Sequence, residues 1–348
     1  MFLPALFVRV AIADDAQDEL MREAEALANA PAPPPPPQAP AHASFNAMNP
    51  GITAFGDMVG QLGYGPAGVL PGSTVYLRSA ELEFRADVDP FAKADAVISL
   101  EQEAPPLAGG AGSGFGAGPE EAYIDLVALP ARLSARLGKF KQPFGIINRM
   151  HAHDLPWTDA PNLIGGEGYN DTGASLSWIL PLGPAGLTLT AAGVAGEPFD
   201  PNNHRAGAAG IGRAELFLGG GPVGVALGGS SIYDFPTGDL VVGGDAMFRF
   251  RPSQSKSVVV LGEVVKNEDI AGYGALQVQP ARNFYIGARE DFGPNGLKHN
   301  LYVSYYTSEF LRVRVGGGYS ATTNVADALL QLTFVYGSHP VEPWWVNQ

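Results

Sequence analysis

Between Pro143 and Asp171 the chain gathers its densest set of reactive side chains: Arg149, His151, His153, Asp154, Trp157, Asp159, Glu167 and Asp171. His151-Ala152-His153-Asp154 sets two imidazoles and a carboxylate side by side. Zinc takes such ligands, and a loop can bend neighbours toward one ion. Two histidines in a polar loop more often serve as hydrogen-bonded structural groups, and that is the favoured reading here. Other chemistry is missing. No Gly-x-Ser-x-Gly elbow or His-Glu-x-x-His pair occurs, and the glycine-rich run from Gly109 to Gly118 has no Walker lysine and leads into a strand. With no cysteine there is no thiolate ligand, disulfide or thiol nucleophile. The reading is no enzyme and no cofactor.

These residues must be positioned by strands, because almost everything after residue 50 alternates with period two. From Lys93 to Glu103, Lys93, Asp95, Ser99, Glu101 and Glu103 share one face, and Ala94, Ala96, Ile98 and Leu100 the other. Strands are predicted at 51–61, 74–88, 91–103, 120–129, 132–142, 172–181, 185–196, 208–218, 223–233, 239–251, 257–267, 270–279, 282–291, 299–308, 311–320 and 326–337. That is about sixteen, and bacterial single-chain barrels need an even number. Short turns such as Asp89-Pro90, Leu129-Pro130 and Gly219 to Pro222 alternate with longer connections, among them Gln61 to Ser73, Ala104 to Pro119 and Glu197 to Gly207. Trp178, Phe248, Phe250, Phe284 and Phe310 flank the short turns, as an interfacial girdle would.

A soluble sheet of this size needs a shared interior, whereas a transmembrane barrel turns its apolar face to lipid and its polar face to a lumen. The expected fold is all-β: an up-and-down antiparallel transmembrane barrel. No run of about 20 apolar residues, the length of a membrane-spanning helix, is present. A soluble β-sandwich or propeller would also alternate. The uneven connections and the N-terminus favour the barrel. Met1 to Ala13 is apolar and ends in a small-x-small triplet, so it reads as a signal-like segment. Residues 14–44 read as a short helical, then proline-rich, periplasmic leader, and 45–348 as the barrel. The net charge of −14 argues against a nucleic-acid partner.

The segment Gly138-Lys139-Phe140-Lys141-Gln142-Pro143-Phe144-Gly145 and the segment Arg78-Ser79-Ala80-Glu81-Leu82-Glu83-Phe84 resemble recurring patterns of the phosphate-selective porins of Gram-negative outer membranes. The resemblance implies a sixteen-stranded porin, often a homotrimer, with its third long loop folded into the pore. On that reading Arg149, His151, His153, Asp154, Asp159 and Glu167 form the constriction, with His151, His153 and Asp154 as the candidate metal ligands.

Alternation places Arg85, Lys93, Arg136, Arg213, Arg249, Arg289, Arg312 and Arg314 on the lumen face, opposite Glu81, Glu83, Asp87, Asp95, Glu101, Glu103, Asp125, Glu215, Asp245 and Glu263. Mixed signs suit small hydrophilic solutes or ions better than phosphate alone; paired with cross-strand neighbours, the same charges would stabilise the wall instead. The expected function is passive diffusion across the outer membrane, with its lipid as the surrounding partner. The alternatives are a specific-uptake or zinc-related barrel and a mainly structural outer-membrane protein.

Overall fold

A strand of about ten residues, tilted in a bilayer, spans the hydrocarbon core, and alternation gives it one lipid face and one lumen face. A computed structural model of the protein describes residues 50–102, 105–109, 114–161, 163, 169–196 and 208–337. The signal-like segment, the leader, Glu103 and Glu167 lie outside the described residues. The strands are β1 (Gly51–Gly65), β2 (Gly68–Val69), β3 (Thr74–Asp89), β4 (Ala92–Glu101), β5 (Gly116–Leu129), β6 (Leu133–Lys141), β7 (Asn170–Leu182), β8 (Ala185–Val194), β9 (Ala209–Gly220), β10 (Val223–Asp234), β11 (Leu240–Ser253), β12 (Lys256–Lys266), β13 (Ile270–Ala281), β14 (Phe284–Phe292), β15 (Lys298–Ser308), β16 (Leu311–Ser320) and β17 (Val325–Tyr336).

Apart from the two-residue β2, every strand pairs antiparallel with its neighbour in the chain. β1 also pairs with β17, from Ala54 opposite Tyr336 to Tyr64 opposite Ala326, which closes a barrel of 16 strands. All the expected strands are present; β5 begins earlier than the alternation implies, at Gly116, and the small β2 hairpin was not expected. Tight turns follow β3, β5, β7, β9, β11, β13 and β15 at one end of the barrel. Among the described residues no helix is long and apolar enough to cross a membrane.

The exterior is an apolar belt. Leu82, Val260, Leu276, Val303 and Leu330 are each at least 40% exposed. A continuous band of this kind is what hydrocarbon covers, since water-facing surfaces carry only small apolar patches. Trp178, Phe248, Phe250 and Phe310 edge it at the short-turn end, and Tyr64, Tyr233, Phe292 and Tyr319 at the other. Amphipathic rings at both boundaries fix the depth of the barrel in the bilayer.

The apolar core sits within the ring of strands. Ile146, Met150, Leu155 and Trp157, from the connection between β6 and β7, cluster with wall residues Phe55, Tyr273, Tyr285, Tyr302 and Tyr306. Phe144 and Tyr169, from the two ends of the same connection, cluster with Ile211, Ile232, Val241 and Val265. Phe144 has room because position 243 on β11 is glycine: a Cβ there would lie 2.7 Å from the Phe144 ring.

Candidate functional site

An irregular connection must find partners for its backbone polar groups once it leaves solvent. The β6–β7 loop, 142–169, first ties its own neck. Gln142 N–H donates to the Tyr169 carbonyl at 2.9 Å, and the Asn148 side-chain amide donates to the carbonyls of Gln142 at 2.9 Å and Tyr169 at 3.0 Å. Tyr169 N–H returns a bond to Asn148 Oδ1 at 2.6 Å. Burial raises the Tyr169 phenol to about 12, so it stays neutral.

Beyond the neck the loop is held by inward-facing side chains from many strands. The carboxylate of Glu263 on β12 accepts from the N–H groups of Ile146 and Ile147, and Ser230 on β10 accepts from Gly145 N–H at 3.1 Å. Arg149 reaches Glu215 on β9 at 3.1 Å. Arg312 on β16 donates to the His153 carbonyl and Arg314 to the Leu155 carbonyl, each at 2.7 Å. Arg78 on β3 donates to the Thr158 carbonyl. Arg289 on β14 donates to the Asp159 carbonyl at 2.6 Å and stacks on the Trp157 ring with 4.8 Å to its centroid. Lys298 and Tyr302 on β15 bond the Asp159 carboxylate, Lys298 at 2.9 Å.

Burial alone would raise the Asp159 carboxyl, but Arg289, Lys298 and the Tyr302 hydroxyl outweigh it and hold the pKa below the usual carboxylate range. Arg149 is lowered, by burial first and then by the nearby Arg213 charge.

The two histidines are clamped between the loop and β3 and β5. His151 Nδ1 lies 3.0 Å from Glu120 Oε1, and its Nε2 lies 3.0 Å from Glu121 Oε2. Consecutive strand residues normally face opposite ways. Here the register of β4 with β5 slips between Val97 and Ile98, so Glu120 is an extra residue, and the bulge lets both carboxylates reach one imidazole. Burial acts to lower the His151 pKa, but the hydrogen bonds to Glu120 and Glu121 raise it well above the ordinary value. His153 is fully packed, stacked on Phe55 with centroids 4.0 Å apart, and lies 3.0 Å from Glu81 on β3 and 3.6 Å from Asp154. Burial lowers its pKa and the charges of Glu81 and Asp154 more than restore it, giving a net upward shift.

The candidate metal ligands named from sequence, His151, His153 and Asp154, overlap only at His151 with the group whose ligand atoms come together. Ligand atoms of Glu81, Glu120 and His151 lie within 4.8 Å of one another, whereas His153 and Asp154 are not in that group. Strict alternation puts Glu120 on the outer face. An acid out of phase in an apolar row is the signal of the bulge.

The other lumen charges pair mostly with their neighbours. Arg85 meets Asp95 at 2.9 Å, Arg136 meets Asp125 at 2.7 Å, and Arg213 meets Asp245 at 2.6 Å and Glu215 at 2.8 Å. Arg289 also pairs with Asp291 at 2.7 Å. Arg249 shares the inward face of β11 with Asp245. Alternation alone does not pair Arg78 with Asp57. A second bulge, between Asp57 and Met58 in the β1–β3 register, turns Arg78 inward to Asp57, which also accepts from Gln331 at 3.0 Å and Thr333 at 3.2 Å across the closing seam.

The loop does not fill the barrel evenly. The inward side chains of β12, β13 and β15 are buried, including Val259, Glu263, Tyr273, Gln277, Asn300 and Tyr302. Those of β7 and β8, such as Ser175, Ser177, Thr188 and Thr190, stay half-open. Toward the long-loop end, between the loop and β1 and β3 to β6, is a cavity of about 820 Å³ lined by Gln61, Arg78, Glu101, Glu120, Lys139 and Lys141 among others.

Solved structures share this arrangement of strands. Pseudomonas putida OprB at high pH superposes with a TM-score of 0.59 at 12% identity, covering 84% of this chain and 95% of its own. Salmonella typhi OmpF, in a complex with daunomycin, gives 0.56 at 11% identity, covering 84% and 99%. A mutant of the Rh. blastica porin gives 0.52 at 10% identity, covering 82% and 100%. The fold is that of the outer-membrane porins. No family model matches the sequence. An uncharacterised protein of Aquifex aeolicus (strain VF5) is 31% identical over 124 residues, which is 35% of this chain and 24% of that protein. The chain thus spans about a quarter of the length of the curated relative it matches.

Proposed function

We propose that this porin-fold barrel is an outer-membrane channel for passive diffusion of small hydrophilic solutes or ions, with the β6–β7 loop as its constriction. The observation that carries the reading is the loop's anchorage. It is bonded to inward side chains of β3, β5, β9, β10, β12, β14, β15 and β16, yet a polar wall and an 820 Å³ cavity stay open on the β3–β8 side. A solute would pass off-centre, from the cavity past Tyr123, Asp125 and Arg136. Arg136 covers the Tyr123 ring at 3.8 Å from its centroid, which gives that wall both charge and a stacking face.

Kinship with the phosphate-selective porins is the finer part of the proposal, supported by the Gly138 to Gly145 segment, which forms the end of β6 and the start of the constriction loop. Phosphate selectivity is not part of it, because Arg312 and Arg314 donate to loop carbonyls. Export by residues 1–13, a leader over 14–44 and a homotrimer complete the reading. Small outward residues on β8 to β10, among them Ala191, Gly193, Gly212 and Gly229, would let a second barrel approach closely.

The test is a planar-bilayer recording of the full-length protein beside a variant lacking residues 150–160. The wild type should give stable pores and the deletion larger ones, with heat-dependent gel mobility showing that both barrels are folded. Folded wild-type protein that passes no current would overturn the channel reading; equal conductance in the two would overturn the role of the loop.

A further inference from the structure

We propose that Glu81, Glu120 and His151 form a divalent transition-metal site, with zinc the ion that suits it, tying the constriction loop to β3 and β5. One ligand atom from each residue lies within 4.8 Å of the other two, a spread that small side-chain adjustments close to the coordination sphere of zinc. One imidazole and two carboxylates favour zinc over magnesium or calcium, which take oxygen ligands alone.

Two further observations point to a cation. The first is the other side of the imidazole. Nδ1 faces Glu120, and Nε2 lies 3.0 Å from the Glu121 carboxylate. A carboxylate on the far nitrogen is the usual outer-shell partner of a metal-bound histidine, fixing the tautomer and the ring orientation. The second is the state of the acids. Glu81 is 2% exposed and pairs with His153 Nδ1 at 3.0 Å, whereas Glu120 Oε2, also shielded from water, makes no hydrogen bond. Carboxylate oxygens removed from water without a hydrogen bond are costly unless a cation faces them.

Access and competition are both defined. Glu120 and Lys141 line the 820 Å³ cavity, so an ion reaches the site from that side, and three protein ligands leave one position open to water there. The ion must displace the Lys141 ammonium, now 2.7 Å from Glu120 Oε1, and one imidazole proton. Lys141 is therefore the built-in competitor.

The experiment is calorimetric titration of zinc chloride into the folded full-length protein in detergent, with magnesium chloride as the control. The expected result is one zinc per chain and no magnesium binding. His151→Asn and Glu120→Gln should each weaken zinc binding at least about tenfold, and Glu121→Gln should weaken it about 10–100-fold through the outer shell. Lys141→Met should tighten it. Asp154→Asn, outside the ligand group, should leave it nearly unchanged. Should a ligand variant lose its heat-dependent mobility, the gain in Lys141→Met decides the matter. Absence of zinc binding, binding indifferent to His151 and Glu120, or no gain in Lys141→Met would each overturn the site. Calorimetry needs no current, so the site and the channel reading can fail separately.

Discussion

Replacing Asp159 by Asn should loosen the far end of the constriction loop by an amount that can be worked from its contacts. Asp159 bonds Tyr302 and Lys298 and lies 3.3 Å from Arg289 Nη2. Breaking a buried ion pair costs about 3–5 kcal/mol when a cation is left alone. Neither cation is left alone here, because Arg289 keeps Asp291 at 2.7 Å and Lys298 keeps Asp327 at 3.3 Å. The Asp159 side chain is 31% exposed, so screening reduces the loss further. What remains is the difference between charged and neutral hydrogen bonds, about 1.5–2 kcal/mol. At about 1.4 kcal/mol per decade, the ratio of undocked to docked loop should rise about 10- to 30-fold. Single-channel recording reads that ratio as occupancy of a high-conductance level. An unchanged or lower occupancy in folded Asp159→Asn protein would refute the argument.

The same residue fixes the sign of a pH effect. Burial works against ionisation of Asp159, and Arg289, Lys298 and Tyr302 overcome it, so the folded pKa lies below the unfolded value of about 3.9. A depressed carboxylate contributes its full stabilisation above the unfolded pKa and loses it as pH falls through the folded one. The groups facing it are Arg289 on β14 and Lys298 and Tyr302 on β15, none of which titrates in that window. The difference between wild type and Asp159→Asn should stay constant from about pH 5 to 7 and shrink only below about pH 4. A difference that vanished between pH 5 and 7 would mean that another group holds this end of the loop.

Two further outcomes are expected. Gly145→Ala should destabilise loop docking by about 1–2 kcal/mol, seen as faster proteolysis within the loop, because the backbone there has φ 58° and a Cβ would strike the Glu263 carboxylate. Arg312→Gln with Arg314→Gln should raise loop opening yet leave the sign of the reversal potential under a salt gradient unchanged, since both guanidiniums serve loop carbonyls; a reversed sign would show that they face permeating ions instead.

The strands were legible because lipid and lumen impose a strict period of two, and sixteen repetitions of it average out local propensity. Strict periodicity is also what hid part of the site. Arg78 and Glu120 are out of phase with Glu81 and Glu121, so alternation assigns them to lipid, and two bulges bring them inward, Arg78 to Asp57 and Glu120 to His151. A charge stranded in an apolar row is costly at membrane depth, and that cost is the sequence signal that could have marked both bulges.

The loop's partners carried no such signal. Its wall contacts with Arg78, Glu263, Arg289 and Arg312 cross long stretches of chain, and any lumen-facing charge would read alike. Alternation places Arg312 and Arg314 on the lumen face and says nothing of what they bind there. A loop without regular structure brings unpaired carbonyls into a space lined by side chains, and each needs a donor. Arginine offers five N–H groups and keeps its charge when buried, so the residues best able to bind a solute are also those best able to hold the loop. The His153 and Leu155 carbonyls occupy them first.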